Sequence, residues 1–185
     1  MKFFIITRKH LMLMLSFVVA VVVAIIGSVN IFADNQRLLP IYCVETDKKQ
    51  VAISFDAAWG NEDTQTLIDI LGKYNIKATF FVVGDWVDKY PESVKALHEA
   101  GHEVMGHSND HAHFNSLSAD QIIADITACN EKIKAITGVS PTLFRPPYGE
   151  YDDHVVSTVR GMGLEIIQWD VETLATDAMP WGTRV

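Results

Sequence analysis

The chain has 185 residues, 49% of them hydrophobic, with 23 Asp and Glu against 15 Lys and Arg. That is enough for one domain with a real core and too short for two ordinary ones. All the acidic residues follow Ala33, which argues against a nucleic-acid partner: no basic patch exists to displace counterions from phosphates.

In chain order, Lys2, Arg8 and Lys9 precede an uncharged stretch over 11–33. This reads as a basic leader and an export segment, either a cleaved signal peptide or an uncleaved membrane anchor. The small-x-small cleavage pattern is poor because Ile31 stands two before Ala33, so the anchor is the preferred reading, with the rest of the chain outside the cytoplasm. Residues 34–49 read as a linker and 50–185 as the domain. Cys43 and Cys129 either pair outside the cell or remain as small buried hydrophobes.

An apolar strand is predicted over 50–55, ending at Asp56 and the turn-like Ala57-Ala58-Trp59-Gly60. A helix over 62–74 follows, with Leu67, Ile70, Leu71 and Tyr74 on one face. The run 78–83 is nearly all apolar, as a strand covered on both faces would be. Pro91 opens a helix that Gly101 closes. A third strand over 102–105 delivers His107 and His111. Ser118 and Gln121 form a capping-box pair, and Ile122, Ile126, Cys129, Ile133 and Ile136 trace one helical face up to Gly138. A short strand over 142–144 runs into Arg145-Pro146-Pro147-Tyr148-Gly149. A helix over 152–162 and a strand over 164–169 complete the pattern.

Strands alternate with helices, and each candidate functional group sits where a strand ends. The pattern predicts an α/β fold with parallel strands, in a barrel or an open sheet. In either, the C-terminal strand ends carry the site. Asp56, His107, His111, Arg145 and Trp169 should therefore gather on one rim.

His107 and His111 stand four apart. If the loop takes a helical step, two neutral imidazoles face the same way and grip one divalent metal; otherwise they are two unrelated histidines in a polar loop. Asp56 is a metal ligand, a general base or a turn residue. Arg145, on a stiff proline loop, either lies at the surface or holds Asp56 through a bidentate pair. The Tyr148 backbone N–H is free to aim at an oxyanion.

Four stretches together resemble the motif series of the polysaccharide deacetylases, the NodB-homology or carbohydrate esterase family 4. Ser54-Phe55-Asp56-Ala57-Ala58 is similar to T-F-D-D-G, and His107-Ser108-Asn109-Asp110-His111 matches H-S/T-x-x-H. Arg145-Pro146-Pro147-Tyr148-Gly149 matches R-x-P-Y/F-G, and Trp169-Asp170-Val171-Glu172 resembles the start of the fourth motif. The resemblance covers 51–173, and the Phe-Asp-Ala-Ala-Trp-Gly variant looks most like a sporulation-associated branch.

The resemblance implies a distorted (β/α) barrel, here lacking its last strand and helix, and removal of N-acetyl groups from N-acetylglucosamine-containing cell-wall or chitin-like polysaccharide. His107 and His111 would be metal ligands, with Zn2+ the first expectation. Asp56 would be the base, held by Arg145, and Tyr148 would stabilise the oxyanion. Trp59, Pro147, Tyr148 and Trp169 are the candidate glycan contacts. A monomer is expected, with a glycan polymer as substrate.

Three departures stand out. Ala57 occupies the position of the family's third metal ligand, with Glu62 and Asp63 nearby as substitutes. Glu172-Thr173-Leu174-Ala175 replaces the usual fourth-motif continuation, with Trp181 displaced. The chain reaches Val185 without a counterpart of the fifth motif, so it is expected to be C-terminally incomplete. The second reading is a catalytically impaired glycan-binding or spore-envelope protein of the same fold.

Overall fold

The computed structural model describes residues 8–33 and 37–172; the expectations on Thr173, Leu174, Ala175 and Trp181 lie outside them. Two compact units are present, Met1–Arg37 and Leu38–Val185. The first holds one 26-residue helix, α1 (Arg8–Ala33), whose large apolar side chains from Leu11 to Val23 are exposed. Among the described residues no helix is long and apolar enough to cross a membrane.

The second unit alternates strand and helix: β1 (Ser54–Ala57), α2 (Thr64–Lys73), β2 (Thr79–Val82), α3 (Gly84–Lys89), α4 (Pro91–Glu99), β3 (Glu103–Gly106), α5 (Ala119–Thr137), β4 (Leu143–Phe144), α6 (Asp153–Gly161) and β5 (Glu165–Ile166). All four strand pairings are parallel, and the sheet runs β1-β2-β3-β4-β5. Each crossover adds its strand on the same side as the last. No reversal occurs of the kind a doubly wound sheet needs, and the order is that of the α/β barrel class predicted.

β1 begins four residues later than expected. Thr79 N donates to Ile53 O at 3.1 Å and Ser54 pairs with Thr79, so the start of β2 sets where β1 can enter the sheet. Val51, left outside, is 88% exposed. Within the stretch read as a linker, Ile41 makes an isolated parallel bridge to Ile167. Ile41 N donates to Ile166 O at 2.8 Å and its carbonyl accepts from Gln168 N at 2.9 Å, covering the outer edge of β5 whose backbone groups need partners. Leu38 N also donates to Asp153 Oδ1 at 2.8 Å.

The predicted face of α2 is rotated. Leu71 is buried and Leu67 and Ile68 pack beside it, whereas Ile70 and Tyr74 are exposed. α5 matches its pattern closely: the Ser118 and Gln121 capping box forms, and Gly138 closes the helix at φ 74°, a left-handed angle that costs glycine nothing. Its apolar face ties two clusters together, Cys129 and Ile133 in one, Ile122 and Ile126 in the other. Truncating any of these isoleucines to alanine would cost about 2–5 kcal/mol. Both cysteines are free, Cys43 exposed and Cys129 buried; burial pushes the Cys129 thiol up to about 12, so it acts as a hydrophobe.

Candidate active site

The parallel sheet carries its strand ends to one rim. β1 ends in Asp56 and Ala57, β3 runs into His107, and β4 runs into Arg145, whose N–H donates to Gly106 O at 3.1 Å. Arg145 Nη1 donates to Asp56 Oδ1 at 2.7 Å, and Nη2 donates to Ser54 Oγ at 2.8 Å. The fork is therefore split between two acceptors instead of closing bidentately on Asp56. Ser54 and Asp56 share one face of β1 through the two-residue period of a strand, a signal that could have identified Ser54 from the sequence. The guanidinium lies 4.1 Å above the Phe81 ring and 5.5 Å from that of Trp169, an apolar seat that fixes its plane.

His107 is 3% exposed. Its Nδ1 lies 2.7 Å from Arg145 O; a carbonyl can only accept, so Nδ1 carries the proton and Nε2 presents a lone pair. That Nε2 is 3.9 Å from Asp56 Oδ2. The His111 ring lies 5.2 Å from that of His107. Burial lowers both histidine pKa values, against the opposing pull of Asp56, so both imidazoles are neutral at pH 7. The loop joining them takes no helical step. Ser108 and His111 sit at φ 72° and 61°, and these two left-handed residues turn the chain so the rings meet.

Aromatic rings border this centre. His111 lies 5.7 Å from Trp59 and 4.6 Å from Tyr148 by ring centroids, and both aromatics are more than half exposed. Tyr148 has a strained φ of 59° between Pro147 and Gly149. His113, unassigned from the sequence, stacks on Tyr148 at 4.2 Å and meets Glu150 at 3.0 Å. A Cβ on Gly149 would come within 3.2 Å of the Trp169 ring, so the loop packs closely on that indole. All the sequence-predicted site residues thus converge, with Pro147 in the loop that carries Tyr148.

Two features bear on a metal. His111 Nδ1 is buried with no hydrogen-bond partner, and His107 offers a bare Nε2, so the pair suits a borderline divalent cation. A third ligand is lacking: Ala57 packs against the first apolar cluster. Among the described residues no group of three His, Cys, Asp or Glu could hold a metal ion, so Glu62 and Asp63 do not fill the gap. The donors fit as a two-histidine half-site.

The family model described as polysaccharide deacetylase matches residues 44–167. The uncharacterized protein YlxY of Bacillus subtilis is 34% identical over 73% of this chain and 42% of its own length. Peptidoglycan-N-acetylglucosamine deacetylase PgdA of Listeria monocytogenes is 37% identical over 75% of this chain and 30% of its own. A CE4 family pseudoenzyme from Bacillus anthracis superposes with a TM-score of 0.68 at 35% identity, over 71% of this chain and 47% of that one. A mutant of that pseudoenzyme has restored enzymatic activity. The chain spans less than half the length of each of these relatives.

Proposed function

The chain belongs to the polysaccharide deacetylase family, and from that premise we propose that it removes N-acetyl groups from N-acetylglucosamine-containing cell-wall polysaccharide. The observation that carries this is the Asp56 carboxylate, held at 2.7 Å by Arg145 and 3.9 Å from the lone-pair nitrogen of His107.

His107 and His111 would hold a divalent metal, Zn2+ first, which when bound supplies Lewis acidity to an acetamide carbonyl and to water. Asp56, oriented by Arg145, accepts the proton of the attacking water. The Tyr148 N–H donates to the oxyanion as the carbonyl becomes tetrahedral. Trp59, Tyr148 and Trp169 offer apolar faces to the sugar rings, and Pro147 keeps their loop stiff. As the adduct collapses, the proton taken up by Asp56 passes to the nitrogen and the C–N bond breaks, releasing acetate and leaving a free amine on the glycan. Export fits this substrate: Lys2, Arg8 and Lys9 precede the uncharged stretch over 11–33, which is read as a leader or anchor. The Phe55-Asp56-Ala57-Ala58-Trp59-Gly60 variant supports a role in sporulation.

A second reading, glycan binding without turnover, is favoured by Ala57 at the third-ligand position. Free amines appearing in peptidoglycan treated with the zinc-loaded protein, and absent with His107→Ala, support the enzyme. Retained glycan binding with no amine formed by the wild type overturns it in favour of the second reading.

A further inference from the structure

The loop from His107 to His111 is held from outside by three residues that lie in none of the four motif stretches. The N–H groups of Gly84 and Asp85, opening α3, donate to Ser108 O at 2.9 Å and Asn109 O at 2.8 Å. From the other side Asp125, on α5, accepts from Asn109 N at 3.0 Å and from Ser108 Oγ at 3.1 Å. Ser108 Oγ in turn accepts from Ala112 N at 3.3 Å, so the bonding runs from Asp125 to the residue just past His111. Ser108 is fully buried. A Cβ on Gly84 would collide with the Asn109 side chain and come within 3.0 Å of its Cα and carbonyl oxygen, so the α3 side of the loop accepts only glycine without displacement.

We infer that Gly84 and Asp125 are positioning residues forming a clamp that fixes the separation and facing of the His107 and His111 imidazoles. His107 N donates to Val82 O at 3.0 Å at the end of the sheet, but beyond it the loop, left-handed at Ser108 and His111, belongs to no helix or strand. Two of its carbonyls, Ser108 O and Asn109 O, and its Asn109 N–H are bonded by the clamp, and an ionised carboxylate accepting from a backbone N–H and a hydroxyl is a strong anchor. The inference rests on the metal-binding reading of the histidine pair for its purpose, though not for its geometry.

The test uses the full chain, with side-chain 15N NMR of the metal-free protein and calorimetric Zn2+ titration. In the wild type, His107 shows a single tautomer with the proton on Nδ1, and His111 a single set of signals. Asp125→Ala shifts or broadens both imidazole signals and weakens Zn2+ binding about 10- to 100-fold, the range seen when a ligand's supporting partner is lost. Asp125→Asn keeps a carbonyl to accept from Asn109 and restores wild-type signals. Ile133→Ala, on the same helix and far from the loop, lowers the melting temperature and leaves the imidazole signals unchanged. Wild-type imidazole signals in a folded Asp125→Ala overturn the clamp. If that variant does not fold, Gly84→Ala decides by the same signals, unchanged spectra again overturning it. A wild type that binds no Zn2+ counts against the proposed chemistry, while the imidazole signals still decide the clamp.

Discussion

Asp56 and Arg145, 89 residues apart in the chain, meet at 2.7 Å on the strand-end rim, and the same arginine reaches Ser54 at 2.8 Å. One buried guanidinium thus aims the proposed base and secures the strand beneath it.

Replacing Arg145 with Leu removes both bonds and leaves Asp56 and Ser54 without their donor. Stability should fall by roughly 1–3 kcal/mol in urea unfolding, the cost of stranding partly buried polar groups. Deacetylation should fall by more than Arg145→Lys causes, since lysine restores a charge without the fork. Equal rates for the two variants would show that charge without the fork contributes nothing, and a wild-type rate in Arg145→Lys would show that charge alone suffices.

Adding a carboxylate where the third ligand is missing should strengthen the metal site. Ala57→Asp is expected to raise Zn2+ affinity about tenfold or more in calorimetric titration, as a charged donor joins two imidazoles. It should also cost roughly 1 kcal/mol of stability, because Ala57 packs against an apolar cluster. Unchanged affinity would mean that position 57 cannot face the histidines here.

Much of this geometry is legible in the residues, for reasons that are local. Ser118, Gln121 and Gly138 punctuate α5, and its isoleucine spacing lies within one helix, so tertiary contacts had little to override. Asp56, His107 and Arg145 could be placed on one rim because parallel strands all end there. What escaped the sequence was long-range. The pairing of Ile41 with β5 joins segments more than 120 residues apart, and the start of β1 depends on where β2 begins. α3 has six residues, too few for helical periodicity to show. The left-handed turn at Ser108 and His111 leaves no mark either, since neither residue is the glycine that usually announces one.

Burial raises the Asp125 carboxyl to about 6, against hydrogen bonds from Asn109 and Ser108 that favour its charged form. The folded value lies above the ordinary 3.8, so the folded state takes up the proton first as pH falls. Its contribution to stability therefore grows as pH drops from 7 through 6 towards 5 and is lost again as pH rises. Melting curves of the wild type and Asp125→Asn should show the difference moving in favour of the wild type over that window. A pH-independent difference would contradict the raised value.

Trp59 is 61% exposed beside His111, so its role should show in binding and not in folding. Trp59→Ala is expected to weaken binding of chitin oligomers about tenfold, as loss of an aromatic anchor does, with stability changed by less than about 0.5 kcal/mol. Titration with oligomers alongside a melting curve checks both halves.

Acetate release from an N-acetylglucosamine polymer at saturating Zn2+, compared between the wild type and Asp56→Asn, tests the central claim most directly. The proposed chemistry predicts measurable release by the wild type and a loss of roughly 10²- to 10⁴-fold in the variant, with Zn2+ still bound. Equal release by both proteins, or none by the zinc-loaded wild type, would contradict it.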